Sequence, residues 1–196
     1  MRSLNARFDL AIEAIDAANA DDPTRVEVRG ALEPLALAHG RLAAEWVADL
    51  HPEADESWLL AARAHHLRRW ELPRSDYEAG RAGYLRWKRD QRRRHADDAA
   101  VLLGDVGYDE VTVERVKALI RRDSLATDAG SQAIEDAACL VFLETQLADV
   151  STRLDRDHLI DVLRKTARKI SPTGAAAIGR IPLGEAERQL LADALG

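Results

Sequence analysis

Apolar residues recur every three or four positions through most of this chain. Phe8, Ala11, Ile12, Ile15 and Ala18 keep that spacing and predict an amphipathic helix over residues 7–20, stopped at Asn19-Ala20-Asp21-Asp22-Pro23. Leu35, His39, Leu42, Trp46 and Leu50 share one face of a second helix, residues 32–50, so His39 points inward with the apolar set. After His51-Pro52, Asp55 or Glu56 caps a third helix, residues 57–70, with Trp58, Ala61, Ala62, His65 and Arg69 along one stripe. Pro73 breaks that helix, and Ser75 or Asp76 opens a segment in which Gly80 and Gly83 weaken a continuous helix.

Helical spacing returns over residues 81–103, with Tyr84, Trp87, His95, Ala99 and Leu102 inward and Arg92, Arg93 and Arg94 mostly outside, until Gly104 and Gly107 end it. Asp109 caps a helix through Val113, Val116, Leu119 and Ile120, followed by a polar turn over residues 123–130. Residues 131–150 are nearly all apolar between Ala137 and Leu143 and form the buried spine. Asp155 or Asp157 starts a helix that runs to Ile170, Ser171-Pro172 supplies the cap and first position of a short helix stopped at Gly179, and residues 185–195 form a last one. No strand-like alternation competes. The expected fold is all-α, a single-domain helical bundle of about eight helices over residues 1–196, with an N-terminal helix and turn in 1–30 and a peripheral C-terminal helix in 180–196.

Composition changes this picture in three places. The one cysteine, Cys139, excludes an internal disulfide and a thiolate-rich metal site, so a metal would need His and carboxylate ligands. No apolar run approaches the ~20 residues of a membrane span, and MRSLNARFDL lacks the apolar core of a secretion signal, so a cytoplasmic protein with no membrane partner is expected. The net charge of −6 hides an asymmetry: residues 63–94 hold eleven Lys or Arg against four acids, and the rest is correspondingly acidic. That pattern fits a small phosphorylated ligand or nucleotide and disfavours extended duplex nucleic acid.

Residues 61–84, AARAHHLRRWELPRSDYEAGRAGY, concentrate the candidate chemistry. His39, His65, His66 and the pair Glu135-Asp136 are inward polar positions on three helices, and His95 completes or flanks the set. Convergence of that kind is how helical proteins hold a divalent ion, here Mn, Fe, Co, Ni or Zn. Such an ion would activate water for attack on phosphorus while Arg69, Arg74, Arg81 and Lys88 neutralise the phosphate, Arg69 and Lys88 acting in catalysis. Two consecutive histidines point about 100° apart on a helix, so at most one is ideally aimed at a given ion. A second reading needs no metal: Trp70, Tyr77, Tyr84 and Trp87 interleave with the arginines as in a nucleotide- or RNA-binding module. A third is a helical scaffold that forms a homodimer through Trp46 and Trp58.

AARAHHLRRWELPRSDYEAGRAGYLRWK, GYDEVTVERVKALIRRD, QAIEDAACLVFLE and LRKTARKIS, in that order after an early IDAANADDP, resemble the successive motifs of the domain-of-unknown-function family 4202. The resemblance covers nearly the whole chain. That family is similar to the HD-domain superfamily, all-helical metal-dependent phosphohydrolases in which a His-Asp pair, an upstream His and a downstream Asp hold a divalent metal. The resemblance implies an HD-like fold with His39 as the upstream His and Asp136 as the downstream Asp. His65-His66 falls at the His-Asp pair, with His66 where Asp is expected. Glu135 then serves as an alternative ligand or a proton-transfer partner, and the implied activity is hydrolysis of a nucleotide or small phosphate ester.

Overall fold

Helical periodicity is realised in ten α-helices and three short 3-10 turns among residues 6–195, the part of the chain that the computed structural model describes. Helix α1 (Ala6–Ala20) buries Phe8, Ala11 and Ile15. The first departure from the expected all-helical pattern follows it. Strands β1 (Arg25–Val28) and β2 (Ala31–Pro34) pair antiparallel with Val28 opposite Ala31. Arg29 and Gly30 between them both have positive φ, 51° and 83°, the backbone that a two-residue hairpin turn requires. Pro34 disfavours helical backbone at Glu33. The second helix, α2 (Leu35–Leu50), therefore starts at Leu35 rather than 32, and Leu32 is left exposed on β2. Its first turn has no side-chain cap at Pro34. Asp22 compensates: its buried carboxylate accepts from Thr24 N and Ala36 N, both at 2.9 Å.

Helix α3 (Glu56–Ala64) begins where Asp55 accepts from the Trp58 amide and stops at Ala64, short of Trp70. The His65 imidazole donates to Ala62 O at 2.8 Å, and Arg68 adopts left-handed backbone with its N–H on Asn19 Oδ1 at 3.0 Å. Two 3-10 turns carry the chain to α4 (Arg81–Asp105). Then come α5 (Glu110–Arg121) behind its Asp109 cap and α6 (Ala129–Thr145), capped by Asp128. The spine expected as one helix breaks at Gln146, φ −123°, and α7 (Leu147–Arg153) follows. Asp155 caps α8 (Arg156–Ala167), Ser171 caps α9 (Pro172–Ala177), and α10 (Glu185–Leu195) ends the described chain.

Helix α6 is central. Ala133, Ile134, Ala137, Leu140 and Val141 are buried where it packs on α2, α3, α5 and α9. Each large apolar side chain so buried contributes about 1.5–3 kcal/mol. Helices α2 and α3 approach closely at Gly40, where a Cβ would collide with the carbonyl oxygen of Arg63. Both tryptophans nominated for a dimer face are occupied within the chain. Trp46 is buried, donates to Glu144 at 3.0 Å and lies under the Arg180 guanidinium, while Trp58 meets His51 edge-on. Among the described residues, no helix is long and apolar enough to cross a membrane.

Candidate functional site

Where α3 stops, the chain builds one wall of a cavity of about 250 Å³. His65, His66 and Arg69 come from the segment after α3, His39 from α2, and Lys88, Gln91, Arg92 and His95 from α4. Arg122 enters from the end of α5, Glu135 and Cys139 from α6, and Thr166 and Lys169 from α8 and the residues after it. Because residues 65–68 form a turn, the two histidines are not splayed as they would be on a helix. Their rings stack at a centroid separation of 4.0 Å and 29°. Helix α4 holds this segment in place: Gln91 Nε2 donates to Arg69 O at 2.9 Å and Leu72 O at 2.8 Å, and Trp87 Nε1 donates to Leu72 O at 2.9 Å.

Hydrogen bonds fix the imidazole tautomers. His65 Nδ1 meets Ala62 O at 2.8 Å and His95 Nδ1 meets Leu67 O at 2.7 Å, so each Nδ1 carries the proton. Thr145 donates its hydroxyl to Val141 O and therefore accepts from His39 Nε2 at 3.0 Å. His39 Nδ1 is then the acceptor in its 3.2 Å contact, and His66 Nδ1 donates. All four rings are held neutral. Burial, and then the charge of Arg69, lowers His39 to about 4 and His95 to about 3; burial likewise holds His65 and His66 well below the usual imidazole range.

The cations divide into two groups. Arg122, itself buried in left-handed backbone at φ 58°, places Nε 2.7 Å from Glu135 Oε2. Arg92 reaches the same oxygen at 3.1 Å, and Lys169 lies 3.9 Å from Oε1. Burial pushes Glu135 upward, but these neighbours outweigh it and hold the carboxyl below its ordinary value. Burial lowers Arg122 to about 10, which leaves it charged at neutral pH. The second group makes no ion-pair contact with a carboxylate among the described residues, although Asp22 acts on Arg69 and Glu135 on Lys88 from farther away. The Arg69 guanidinium lies 4.8 Å from the Trp87 ring centroid, and Lys88 Nζ lies 5.7 Å from that of Tyr84. Burial, reinforced by Lys169 and Arg92, brings Lys88 down to about 8.

Residues 9–191 match the family described as a domain of unknown function, DUF4202. The chain belongs to the DUF4202 family. No curated protein and no solved structure matches it.

In this DUF4202 chain, the cavity brings together His39, His65, His66, His95, Glu135, Arg69, Tyr84 and Lys88. Asp136 goes elsewhere. Its Oδ1 accepts from Gln132 Nε2 and Ser171 N, both at 2.8 Å, and its Oδ2 from the Ser171 hydroxyl, so it fastens α9 to α6. Among the described residues, no group of three or more His, Cys, Asp or Glu side chains is arranged to hold a metal ion, and the donor set does not fit the ligand set that the HD resemblance implies. Arg74 is a loop staple, donating to the carbonyls of Tyr77, Glu78 and Gly80. Tyr77 donates to Asp90 at 3.2 Å, and Trp70 is half-buried in a 3-10 turn outside the cavity. Arg81 lines an adjoining groove with Tyr84, Lys88, Lys165 and Arg168. Cys139 lines the cavity with its thiol pushed by burial to about 12, which leaves it protonated and unreactive. Sequence reasoning did not single out Gln91 or Arg122. The left-handed backbone that turns Arg122 inward has no signature in the run Arg121-Arg122-Asp123.

Proposed function

We propose that this chain binds a small phosphate-bearing ligand, a nucleotide or phosphate ester, in the cavity between α4 and α6. The single observation that carries the reading is the pair Arg69 and Lys88, two cations lining one cavity that no carboxylate among the described residues meets at ion-pair distance. A half-buried charge with no counter-ion in contact is costly, and an anion seated between the two relieves it. Arg69 presents a planar fork for two phosphate oxygens and Lys88 a point charge. Affinity for a phosphomonoester rises as the ester loses its second proton near pH ~6 and falls as Lys88 loses its own, at about 8 in the free protein. Calorimetric titration with inorganic phosphate and with AMP tests the reading. Arg69→Gln is expected to weaken binding at least about tenfold, or ~1.4 kcal/mol. Wild-type protein that binds neither ligand overturns the proposal.

A second reading, hydrolysis of the bound ester on an HD-like fold, draws on the gathering of His39, His65, His66 and His95 beside Glu135. Lys88, poised near neutrality, is placed to give a proton to a leaving oxygen. Release of phosphate from a panel of nucleotides and phosphomonoesters, with and without Mn, Co, Ni or Zn ions, tests this. No turnover under any of these conditions sinks it.

A further inference from the structure

Arg69 and Lys88 account for the anionic end of a ligand but leave the imidazoles and the Gln91 amide of the lining unexplained. His65 and His95 spend their Nδ1 protons on backbone carbonyls, so each Nε2 is a bare lone pair, and both are buried without a partner. Gln91 commits its amide nitrogen to Arg69 O and Leu72 O, and its Oε1 is likewise buried and unpartnered. The relay from Thr145 through His39 leaves His66 with a lone pair on Nε2 as well. Three buried acceptors, and the His66 Nε2 beside them, therefore belong to residues lining a cavity whose expected occupant, a fully ionised phosphate, has only acceptors of its own. Buried polar atoms are almost always hydrogen-bonded, to protein, to ordered water or to a ligand.

The missing groups are donors, and the surroundings decide their charge. Arg122 and Arg69 bear electrostatically on these imidazoles, which disfavours an ammonium there, and among the described residues no three His, Cys, Asp or Glu side chains are grouped for a metal ion. A neutral hydroxyl donates without adding positive charge. We propose that the ligand is a polyhydroxylated phosphate ester, a sugar phosphate whose hydroxyls donate to Nε2 of His65, His66 and His95 and to Oε1 of Gln91 while its phosphate sits between Arg69 and Lys88. This rests on the reading of the cavity as a phosphate site.

Calorimetric titration of the full chain with ribose 5-phosphate, n-butyl phosphate and inorganic phosphate separates the two claims. Ribose 5-phosphate is expected to bind about tenfold or more tightly than n-butyl phosphate, a ratio that only hydroxyl recognition produces. Equal affinity for the two esters overturns the hydroxyl assignment and leaves the phosphate site standing; no binding by any of the three overturns both. His66→Phe, checked for folding by circular dichroism, is expected to reduce the ratio, and an undiminished ratio counts against the proposal. Zn²⁺ that binds and is displaced from the wild type by none of the esters would assign the acceptors to a cation and overturn it.

Discussion

Acidification from pH 7 to pH 5 should remove a large share of the folding free energy. His39 and His95 titrate at about 4 and about 3 in the folded chain because burial, and then Arg69, opposes their charge. Unfolded imidazoles titrate near ~6.5. With the folded pKa depressed, the unfolded state takes up protons that the native state refuses. Stability is complete above ~6.5 and is lost progressively as pH falls toward the folded values. At pH 5 an unfolded imidazole gains RT ln(1 + 10^1.5), about 2 kcal/mol, and its native counterpart almost nothing, so these two residues remove ~4 kcal/mol. His65 and His66, depressed by burial, act in the same direction. A domain holds only about 5–15 kcal/mol in total. Glu135 and Asp128, whose carboxyls are held below their ordinary values, withdraw their contribution only at lower pH. Urea unfolding followed by tryptophan fluorescence at pH 7, 6 and 5 reads the effect. With a slope of about 2 kcal/mol per molar urea, the midpoint should fall by ~2 M or more at constant slope. A loss below ~1 kcal/mol would mean that the imidazoles take up protons in the native state, and it would refute the dry, neutral cavity on which the tautomer assignment depends.

Three substitutions probe the same framework. Glu135→Gln leaves Arg122 without its counter-ion and should cost about 3–5 kcal/mol, a drop of roughly 6–20 °C in Tm by calorimetry; a drop under ~2 °C would show that the ion pair does not hold α5 to α6. Asp136→Asn should lower stability by about 1–3 kcal/mol through its bonds to Ser171 while leaving phosphate affinity unchanged, and a binding loss like that of Arg69→Gln would return Asp136 to the cavity. Gly40→Ala should destabilise by about 1–3 kcal/mol in urea because its methyl meets Arg63 O, and a neutral result would mean that α2 and α3 can separate freely.

Local signals were legible where local chemistry decides the outcome. Asp109 and Ser171 cap the helices they were expected to cap, and of the alternatives Asp55 or Glu56 and Asp155 or Asp157 the first of each does so. The hairpin was not, since its alternation is confined to Val26 and Val28 and its turn depends on a positive φ at Arg29, an unusual backbone for a residue with a Cβ. The stop after Ala64 was hidden for a different reason. It is made by Asn19, far back in the chain, accepting from the Arg68 amide, and without it His65 and His66 read as helical. Glu135 and Asp136 lie one residue apart on α6, about 100° around its axis. With Ile134 and Ala137 flanking both, the sequence could not say which of them faces the cavity. The rotation of α6 against α2 and α5 decides it, and turns Asp136 to Ser171.

The electrostatics of the cavity also set an order among ligands. Arg69, Lys88, Arg92, Arg122 and Lys169 surround it, and Glu135 is the one carboxylate on its wall, already shared among three of them. A unit charge ~4 Å from one cation exchanges about 4 kcal/mol at an effective dielectric constant near 20. For a phosphate between Arg69 and Lys88 that term is favourable twice over. For a bare divalent cation it is doubled by the ion's charge and opposes entry, although the neutral imidazoles offer lone pairs. An anion can therefore enter the cavity unaided. A bare metal ion would be favoured only with that anion's charge in place, so the proposed phosphate site does not require a metal.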